Sequence, residues 1–380
     1  MHTITRGVVG LALLTTAATV LVGCSTATTP ADPSVAPSTS ATPSGSSTSD
    51  AEQTTVDFGD TPEQAAAPAC TTLLPTDLVD ALVPGVTVTD PLTAAAHVDG
   101  SWSALRVAGG TDCWATNGTS PVDDVHPATR DDPGYEGVVV SVLPRATTAF
   151  DAATSMAKEL QDSELTPDCA ASTPARVTCQ GSVLAQNAWV TVDVIRLHDG
   201  AAATPEAMRP AFVALVDRVR AAVEPSQAGT ETGADSGDGS FTTCSPEKVN
   251  AVASAALRDP AAQTDTLPWL REYAETRVGA AACVFSAGPD HVLADAVYSS
   301  TPRAGWFVEQ RLAAGLVDRD DRIELPGLGD HDGAWRTCDA SACTIDVVHD
   351  GAWTQYLLHS RVAPDTSSSV ERWAVSSFTG

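Results

Sequence analysis

Apolar residues recur along the first half of the chain with two different periods, which predict strands and helices. Residues 138–142 form a valine-rich run that is typical of a buried strand. Residues 150–160 then place their apolar side chains on one helical face. Residues 177–184 and 189–197 predict a β-hairpin, and a helix that begins at Thr204 follows them.

The second half of the chain repeats this order of patterns. Residues 245–257 predict a helix, because their apolar residues fall on one helical face. A serine at the N-cap and a proline in the first turn also favour this start. Residues 342–348 and 353–362 predict a second hairpin, joined by an Asp-Gly dipeptide that favours a tight turn. A last helix is predicted over residues 365–378. This order predicts an α+β fold, in which helices cover an antiparallel sheet.

Nine cysteines divide the chain, and eight of them form two sets of four at similar spacings. The first four are separated by 43, 56 and 10 positions, and the last four by 39, 55 and 5. A tryptophan, Trp189 or Trp353, stands ten residues after the last cysteine of each set. Pro-Arg pairs at 144–145 and 302–303 also precede matching helical patterns. These agreements predict a tandem duplication of one small domain.

The duplication defines the domain organisation. We predict a first α+β repeat over residues 68–224 and a second over residues 241–380, with two disulfides in each copy. Residues 225–240 are rich in Gly, Ser, Thr and Asp and have no apolar periodicity, which predicts a linker between the copies.

The eight repeated cysteines are expected to be oxidised. The sequence has no C-x-x-C pair and no cysteine near a histidine pair at zinc-ligand spacing, so disulfides are favoured over a metal site. Eight cysteines allow many pairings, but the two copies are expected to fold alike. We therefore predict the pairs Cys70–Cys113, Cys169–Cys179, Cys244–Cys283 and Cys338–Cys343.

The amino terminus predicts export. Arg6 precedes apolar and small residues that are typical of a secretory signal peptide over residues 1–23. The stretch ends in Leu-Val-Gly-Cys, which resembles the bacterial lipobox and implies that Cys24 carries diacylglycerol. An ordinary signal peptide with a chance cysteine, or a plain membrane anchor, are the alternatives. Residues 24–60 predict a lipidated cysteine and a disordered tether, because Ser, Thr and Pro predominate there.

The chain is strongly acidic, with a formal net charge of −27. This charge repels the phosphates of nucleic acids and argues against direct adhesion to anionic lipid headgroups. Solubility alone accounts for it, so it does not identify a positively charged partner. Membrane association is therefore expected through the N-terminal lipid.

Signatures of catalysis are absent from the sequence. It has no G-x-S-x-G elbow, H-E-x-x-H motif, phosphate-binding loop or dinucleotide fingerprint, so we predict no catalytic residue, cofactor or resident metal. The weak ligand-site candidates are Trp335 and the nearby Asp330, His331 and Asp332, since clustered carboxylates suit hard cations such as Ca²⁺. A solvated turn is the alternative. The His-Asp pair at 349–350 is assigned to turn formation.

Several of these features resemble a known kind of protein. The lipobox, the tether, Cys-Thr-Thr-Leu-Leu-Pro-Thr-Asp-Leu at 70–78 and Asp-Cys-Trp at 112–114 resemble actinobacterial cell-envelope lipoproteins of unknown function. The paired disulfides more distantly resemble extracellular sensor domains of mycobacterial receptor kinases. The second repeat departs from the pattern, because a valine follows Cys283 where a tryptophan follows Cys113. The resemblance implies a ligand-binding, sensing or scaffolding role and brings no catalytic residues.

We therefore expect a lipid-anchored protein on the extracellular face of the cell membrane. Its expected role is non-enzymatic binding or sensing of a small molecule, a wall fragment or a protein. Two alternatives stay open. A structural or assembly protein predicts an exposed apolar patch, and a cell-wall hydrolase predicts paired carboxylates in a cleft.

Overall fold

The computed structural model describes most of both repeats. Its described residues are 55–62, 68–89, 100–117, 135–160, 166–173, 176–197, 203–223, 245–258, 270–287 and 294–379. The predicted signal peptide, the lipid attachment at Cys24, the tether before Thr55, the linker and Cys244 lie outside these residues.

The first repeat forms an antiparallel sheet with helices around it. Its described helices are α1 (Cys70–Leu73), α2 (Thr76–Leu82), α3 (Gly100–Val107), α4 (Thr147–Leu160) and α5 (Pro205–Val223). Its strands are β1 (Thr87–Thr89), β2 (Thr111–Thr116), β3 (Gly137–Leu143), β4 (Asp168–Thr173), β5 (Arg176–Ala185) and β6 (Ala188–Leu197). The strand order is β1-β2-β3-β6-β5-β4.

The second repeat has a sheet of the same kind. Its described helices are α6 (Glu247–Asn250), α7 (Leu270–Val278), α8 (Gly305–Ala313) and α9 (Thr366–Phe378), and a 3₁₀ turn covers Arg319–Asp321. Its strands are β7 (Ala281–Phe285), β8 (Ala296–Thr301), β9 (Arg322–Ile323), β10 (Gly333–Cys338), β11 (Ala342–His349) and β12 (Ala352–His359). The strand order is β7-β8-β12-β11-β10-β9.

The two sheets confirm the α+β fold and the tandem duplication. Strands β2-β3-β6-β5-β4 correspond one by one to β7-β8-β12-β11-β10, while β1 and β9 extend opposite edges. Backbone details also recur. Arg145 and Arg303 have φ values of 52° and 59° after corresponding strands, and the hairpin residues Gln186 and Asp350 have 57° and 50°. Positive φ is uncommon for residues other than glycine, so its recurrence at matched positions reflects a shared ancestral backbone.

One face of each sheet is covered by helices of its own repeat. In the first repeat, alternate residues of β3 point into this core, and the longest helix, α5, places Phe212 and Leu215 against them. The hydroxyl oxygen of Thr204 accepts a hydrogen bond from the Ala207 backbone N–H at 3.2 Å, which supports the predicted start of α5. In the second repeat, α9 covers the matching face with Val370 and Trp373.

The opposite faces of the sheets meet between the repeats, and each repeat sends one helix onto the sheet of the other. Helix α7 of the second repeat packs on β3 and β6, where Tyr273 lies 5.3 Å from Trp189 between ring centroids. Helix α3 of the first repeat packs on β7 and β8, where Trp102 belongs to one buried cluster with Trp306 and Trp353. Each helix also contacts a strand of its own repeat, β2 for α3 and β7 for α7, so the reciprocal exchange consists of each helix reaching both sheets.

The backbone at the start of α3 lies very close to strand β8 of the second sheet, which fixes the position of this helix. A Cβ atom added to Gly100 would lie 2.9 Å from the Cβ of Ser299 in β8, so this position has no room for a side chain. The Thr301 hydroxyl donates to the Gly100 carbonyl at 3.2 Å and accepts from the Ser103 hydroxyl at 2.9 Å. The start of α3 is therefore bonded directly to the second repeat.

Three of the predicted disulfides join described cysteines and are confirmed: Cys70–Cys113, Cys169–Cys179 and Cys338–Cys343. The last two join residues directly opposite each other, across β4 and β5 and across β10 and β11. Cys283 is also disulfide-bonded, and its predicted partner Cys244 lies outside the described residues.

The helix predicted over residues 245–257 is wrong beyond its first turn, because α6 ends at Asn250. The Asn250 side chain accepts a hydrogen bond from the Leu257 N–H at 2.7 Å and donates to the Leu257 carbonyl at 3.0 Å. A side-chain amide that binds nearby backbone in this way competes with helical hydrogen bonding.

No helix among the described residues is both long and apolar enough to span a bilayer. The longest of them, α5, has 19 residues and carries several charged side chains.

Replacing Trp102 by alanine tests the exchange of helices. Trp102 is 4% exposed and lies in a core built from both repeats, so Trp102→Ala is expected to lower the free energy of unfolding by about 3–5 kcal/mol. Denaturant unfolding followed by far-UV circular dichroism should remain a single transition, because each sheet needs a helix of the other repeat. Val88→Ala, at a half-exposed edge position, is the control. Separate transitions for the two repeats would contradict the exchange.

Candidate functional site

Three of the sequence candidates lie in the loop between β9 and β10, on the surface of the second repeat, and the fourth, Trp335, lies in β10. Asp330 and His331 are exposed, and neither side chain joins a cluster of potential ligands among the described residues. Asp332 is 9% exposed and Trp335 is 4% exposed. The structure therefore separates the four candidates into two surface residues and two that are nearly buried.

The Asp332 carboxylate binds the loop to the turn between β11 and β12. Its Oδ2 atom accepts the Gly329 N–H at 2.7 Å and lies 2.7 Å from His349 Nδ1. Its Oδ1 atom accepts the Asp350 N–H at 3.2 Å. Both oxygens are thus used to hold two segments of the second repeat together.

These contacts keep the carboxylate of Asp332 ionised. Burial by itself would raise the pKa of Asp332, but the Gly329 N–H, the His349 ring and the Asp350 N–H stabilise the charged form and together lower it. An ionised carboxylate can only accept hydrogen bonds, so His349 Nδ1 must be the donor in this pair. The other ring nitrogen, Nε2, then points away from Asp332.

Asp332, His349 and Asp350 form a group that could hold a divalent cation. One potential ligand atom from each residue lies within 4.8 Å of the others, and His349 Nε2 is 3.6 Å from Asp350 Oδ2. A carboxylate that binds the Nδ1–H of a histidine and orients Nε2 is a recurrent arrangement behind metal ligands. Sequence reasoning treated the pair at 349–350 only as a turn and missed its proximity to Asp332, because 17 residues separate Asp332 from His349.

This group belongs to one copy only. The registers of the two hairpins align Trp189 with Trp353, which places Ala185 and Gln186 at the positions of His349 and Asp350. The turn itself is shared, since Gln186 and Asp350 both have positive φ. The fold therefore requires the turn but does not require these ionisable side chains.

Trp335 is covered by a segment from the other end of the chain, residues 55–59, which we call the strap. The Phe58 ring stacks on Trp335 with centroids 5.8 Å apart and planes inclined by 24°. The Asp57 N–H donates to the His331 carbonyl at 2.9 Å. Trp335 consequently offers no open ring face to a ligand while the strap is in place.

A buried polar network lies between the repeats. The Ser141 hydroxyl donates to Asp112 Oδ1, and the Nη2 atom of Arg271 from α7 lies 3.4 Å from the same oxygen. The Arg271 guanidinium also stacks over Trp102, at 3.4 Å from the ring centroid. Burial raises the pKa of Asp112, although Arg271 and Ser141 act in the opposite direction.

The corresponding place in the other copy lacks these charges. Strand registers and the shared Arg-Val pairs at 106–107 and 277–278 match Asp112, Ser141 and Arg271 with Ala282, Ser299 and Gly100. The buried Ser299 hydroxyl has no hydrogen-bond partner among the described residues. The inter-repeat interface is therefore symmetric in backbone and asymmetric in charge.

A second buried carboxylate stands on the inner face of the second sheet. Asp346 Oδ1 accepts the Trp353 indole N–H at 2.9 Å and the Gln355 amide at 3.0 Å, with Arg311 Nη1 at 3.4 Å. At the matching place in the first repeat, Ser182 accepts the Trp189 indole N–H at 2.5 Å. Both tryptophans are thus anchored alike, by residues of different charge.

An open groove of about 490 Å³ runs beside α9. It is lined by Pro326, Ser368, Glu371, Arg372, Val375, Ser376 and Thr379. Its charged groups already have partners, because Glu371 pairs with Arg336 at 2.7 Å and Arg372 donates to Ser368 and Ser369. The groove is a weaker candidate than the group at Asp332.

Comparisons with protein-family models, with curated proteins and with solved structures found no match for this chain. The resemblance to cell-envelope lipoproteins therefore stays a prediction from the sequence.

Asp332→Asn tests the role of this carboxylate. We expect the variant to lose about 2 kcal/mol of unfolding free energy at pH 7, because charge-assisted hydrogen bonds to two segments are weakened. The folded-state pKa of Asp332 is lowered, so the wild-type advantage is present above the ordinary value of 3.8 and disappears as pH falls through the folded pKa. Denaturant titrations at several pH values measure the difference. Asp330→Asn, at the exposed neighbour, should show neither effect.

Asp112→Asn is expected to give the opposite pH dependence. The raised pKa means that the folded protein holds this proton to a higher pH than the unfolded chain, so its contribution to stability falls as pH rises through the folded pKa. The asparagine can still accept the Ser141 hydrogen bond and carries no charge. Relative to wild type, the free energy of unfolding of the variant should therefore rise as pH increases from 3.8 through the folded pKa of Asp112 in the same titrations. A loss that grows with pH would contradict the raised pKa.

Proposed function

We propose that the chain is an exported lipoprotein, anchored through Cys24, whose duplicated folded unit binds or senses a ligand at the outer face of the cell membrane. The proposed role is non-enzymatic, and the ligand class is a small molecule, a wall fragment or a protein. A structural or assembly role is the alternative, and a cell-wall hydrolase is a weaker one.

The observation that carries export is the state of the cysteines. All seven described cysteines are disulfide-bonded. Disulfides persist in oxidising compartments outside the cytoplasm and are rare inside it. Together with the signal peptide predicted over residues 1–23, this supports a folded unit that matures after export. It also removes the described thiols as nucleophiles.

The observation that supports ligand binding is the copy-specific group at Asp332, His349 and Asp350. Duplicated residues serve the shared fold, whereas residues present in one copy can serve another purpose. This group lies at the surface, and Asp350 is 91% exposed. Its chemistry suits a divalent cation or a cationic part of a larger ligand.

The hydrolase alternative is less well supported by the same group. Asp332 is held ionised by N–H donors, and a general acid needs a carboxyl that keeps its proton near neutral pH. The assembly alternative predicted an exposed apolar patch. The large apolar side chains exposed among the described residues, Val88, Met156 and Val213, stand on separate elements.

Mass spectrometry of the full chain, recovered from the membrane fraction of its own host, tests the proposal. Denaturing spectra should show a mature chain that begins at a diacylglycerol-modified Cys24, with its other cysteines oxidised. Native spectra should show an additional mass that denaturation removes. His349→Ala should lose this mass, because the ring is expected to contact the ligand. Gln186→Ala, at the turn of the first copy, is the control and should keep it.

The possible results separate the parts of the proposal. A chain that begins before Cys24, or lacks the lipid, contradicts anchoring. Free thiols contradict maturation after export. A bare protein in the native spectra moves the proposal to the assembly role, and a ligand kept by His349→Ala moves the binding site away from Asp332.

A further inference from the structure

The strap is an extended segment with a definite inner side. Val56 and Phe58 are partly buried and face the second repeat, while Asp57 between them and the flanking Thr55 and Gly59 are exposed. Val56 and Phe58 pack against the inter-repeat cluster that contains Trp306 and Trp353. This alternation is that of a strand with one buried face.

The second repeat is shaped to receive this segment. A Cβ atom added to Gly305 would lie 2.7 Å from the Phe58 carbonyl oxygen, whereas one added to Gly333 would meet the Trp335 ring first, at 2.5 Å, and a Val56 methyl group at 3.0 Å. Real Cβ atoms essentially never show contacts under 3.0 Å, so the strap can lie this close to the start of α8 because position 305 is glycine. A hydrogen bond from the Gly59 N–H to Asp57 Oδ1, at 3.0 Å, turns the chain away after Phe58.

The strap lies on the second repeat, although it precedes the first repeat in the sequence. Residues 55–59 contact β10 and α8, and the first helix of the first repeat begins only at Cys70. Any chain that enters at Thr55 is therefore attached to the second repeat, next to the loop that carries Asp332. The point of attachment is therefore not the first helix of the first repeat.

We propose that the strap is the point at which the membrane tether is fastened to the folded unit, so that the tether joins the protein at its second repeat. The proposal rests on the proposed function, since it presumes a lipid at Cys24. Docking of the strap itself does not depend on that lipid and can be measured separately.

Chymotrypsin provides the test, because it cleaves after accessible phenylalanine and must bind the flanking residues in extended form. A docked strap should protect the Phe58–Gly59 bond. Gly305→Ala is expected to speed cleavage there by at least about fivefold, a factor that loss of a single hydrogen bond already gives. The strap sequence is unchanged in this variant, so the rates compare directly. Val88→Ala, at an exposed edge distant in sequence, is the control and should cleave at the wild-type rate.

A second variant covers the case in which Gly305→Ala does not fold. Asp57→Pro removes the N–H that donates to the His331 carbonyl and leaves Phe58, the residue after which chymotrypsin cleaves, unchanged in the sequence. Its cleavage rate is divided by that of a synthetic peptide with the same substitution, to correct for the proline. Faster normalised cleavage than wild type supports docking.

The same digestion is run on the lipidated chain bound to phosphatidylcholine vesicles. Slow release of the folded unit from wild type, and fast release from the variants, supports fastening of the tether by the strap. Equal cleavage rates for wild type and variants overturn the proposal. A chain that is protected at Phe58 but does not bind vesicles leaves docking intact, and overturns the fastening together with the proposed anchoring.

Discussion

The reciprocal exchange of α3 and α7 is the contact on which the rest of the fold depends. Each sheet has one apolar face that its own helices cover, and a second face that carries a buried tryptophan, Trp189 or Trp353. Tyr273 of the second repeat contacts Trp189. Trp102 of the first repeat belongs to the buried cluster that contains Trp353. Leaving such faces in water would expose several aromatic side chains, each worth a few kcal/mol of burial. Phe150 and Phe307 of each copy's own helices also contact these tryptophans, but the buried clusters around them are completed by residues of the other copy.

Exchange also explains why the copies have diverged unequally. Helix α3 packs on the second sheet and α7 packs on the first. A charged residue gained on either helix therefore needs a complementary residue on the sheet of the other repeat. Arg271 finds Asp112 and Ser141, whereas Gly100 at the matching position lies directly against Ser299. A buried charge without a partner lowers the free energy of unfolding by several kcal/mol, so a charge and its complement are expected to occur together. A glycine with a close backbone contact and an arginine with a carboxylate are thus two alternative solutions for one position.

Sequence patterns predict what depends on local period and miss what depends on distant partners. The hairpins, α5 and α9 follow from alternation, caps and turn residues. The repeated cysteine spacing, with the expectation that both copies fold alike, predicts the Cys70–Cys113 and Cys169–Cys179 pairs. Helices α3 and α7 were not predicted, because their short apolar faces make sense only against another repeat. The failure of the helix after Asn250 has a local cause, a side chain that binds Leu257. The candidate site was predicted in part. Asp332 was named from its acidic neighbours, but its partner His349 comes from a strand that pattern reading could not bring close.

The hairpin turn of the second repeat shows how a fold can leave room for chemistry. The turn needs residues that accept positive φ, and the backbone of Asp350 and Gly351 meets that need without using the Asp350 side chain. Asp332 is different, because its two oxygens already hold the Gly329 N–H, the Asp350 N–H and the His349 ring. A ligand that arrives at this loop should therefore bind His349 Nε2 and the Asp350 carboxylate directly, with Asp332 as the group that fixes them in place. Asp332, which the sequence named among four candidates, would then support the site, and the two residues assigned to a turn would contact the ligand.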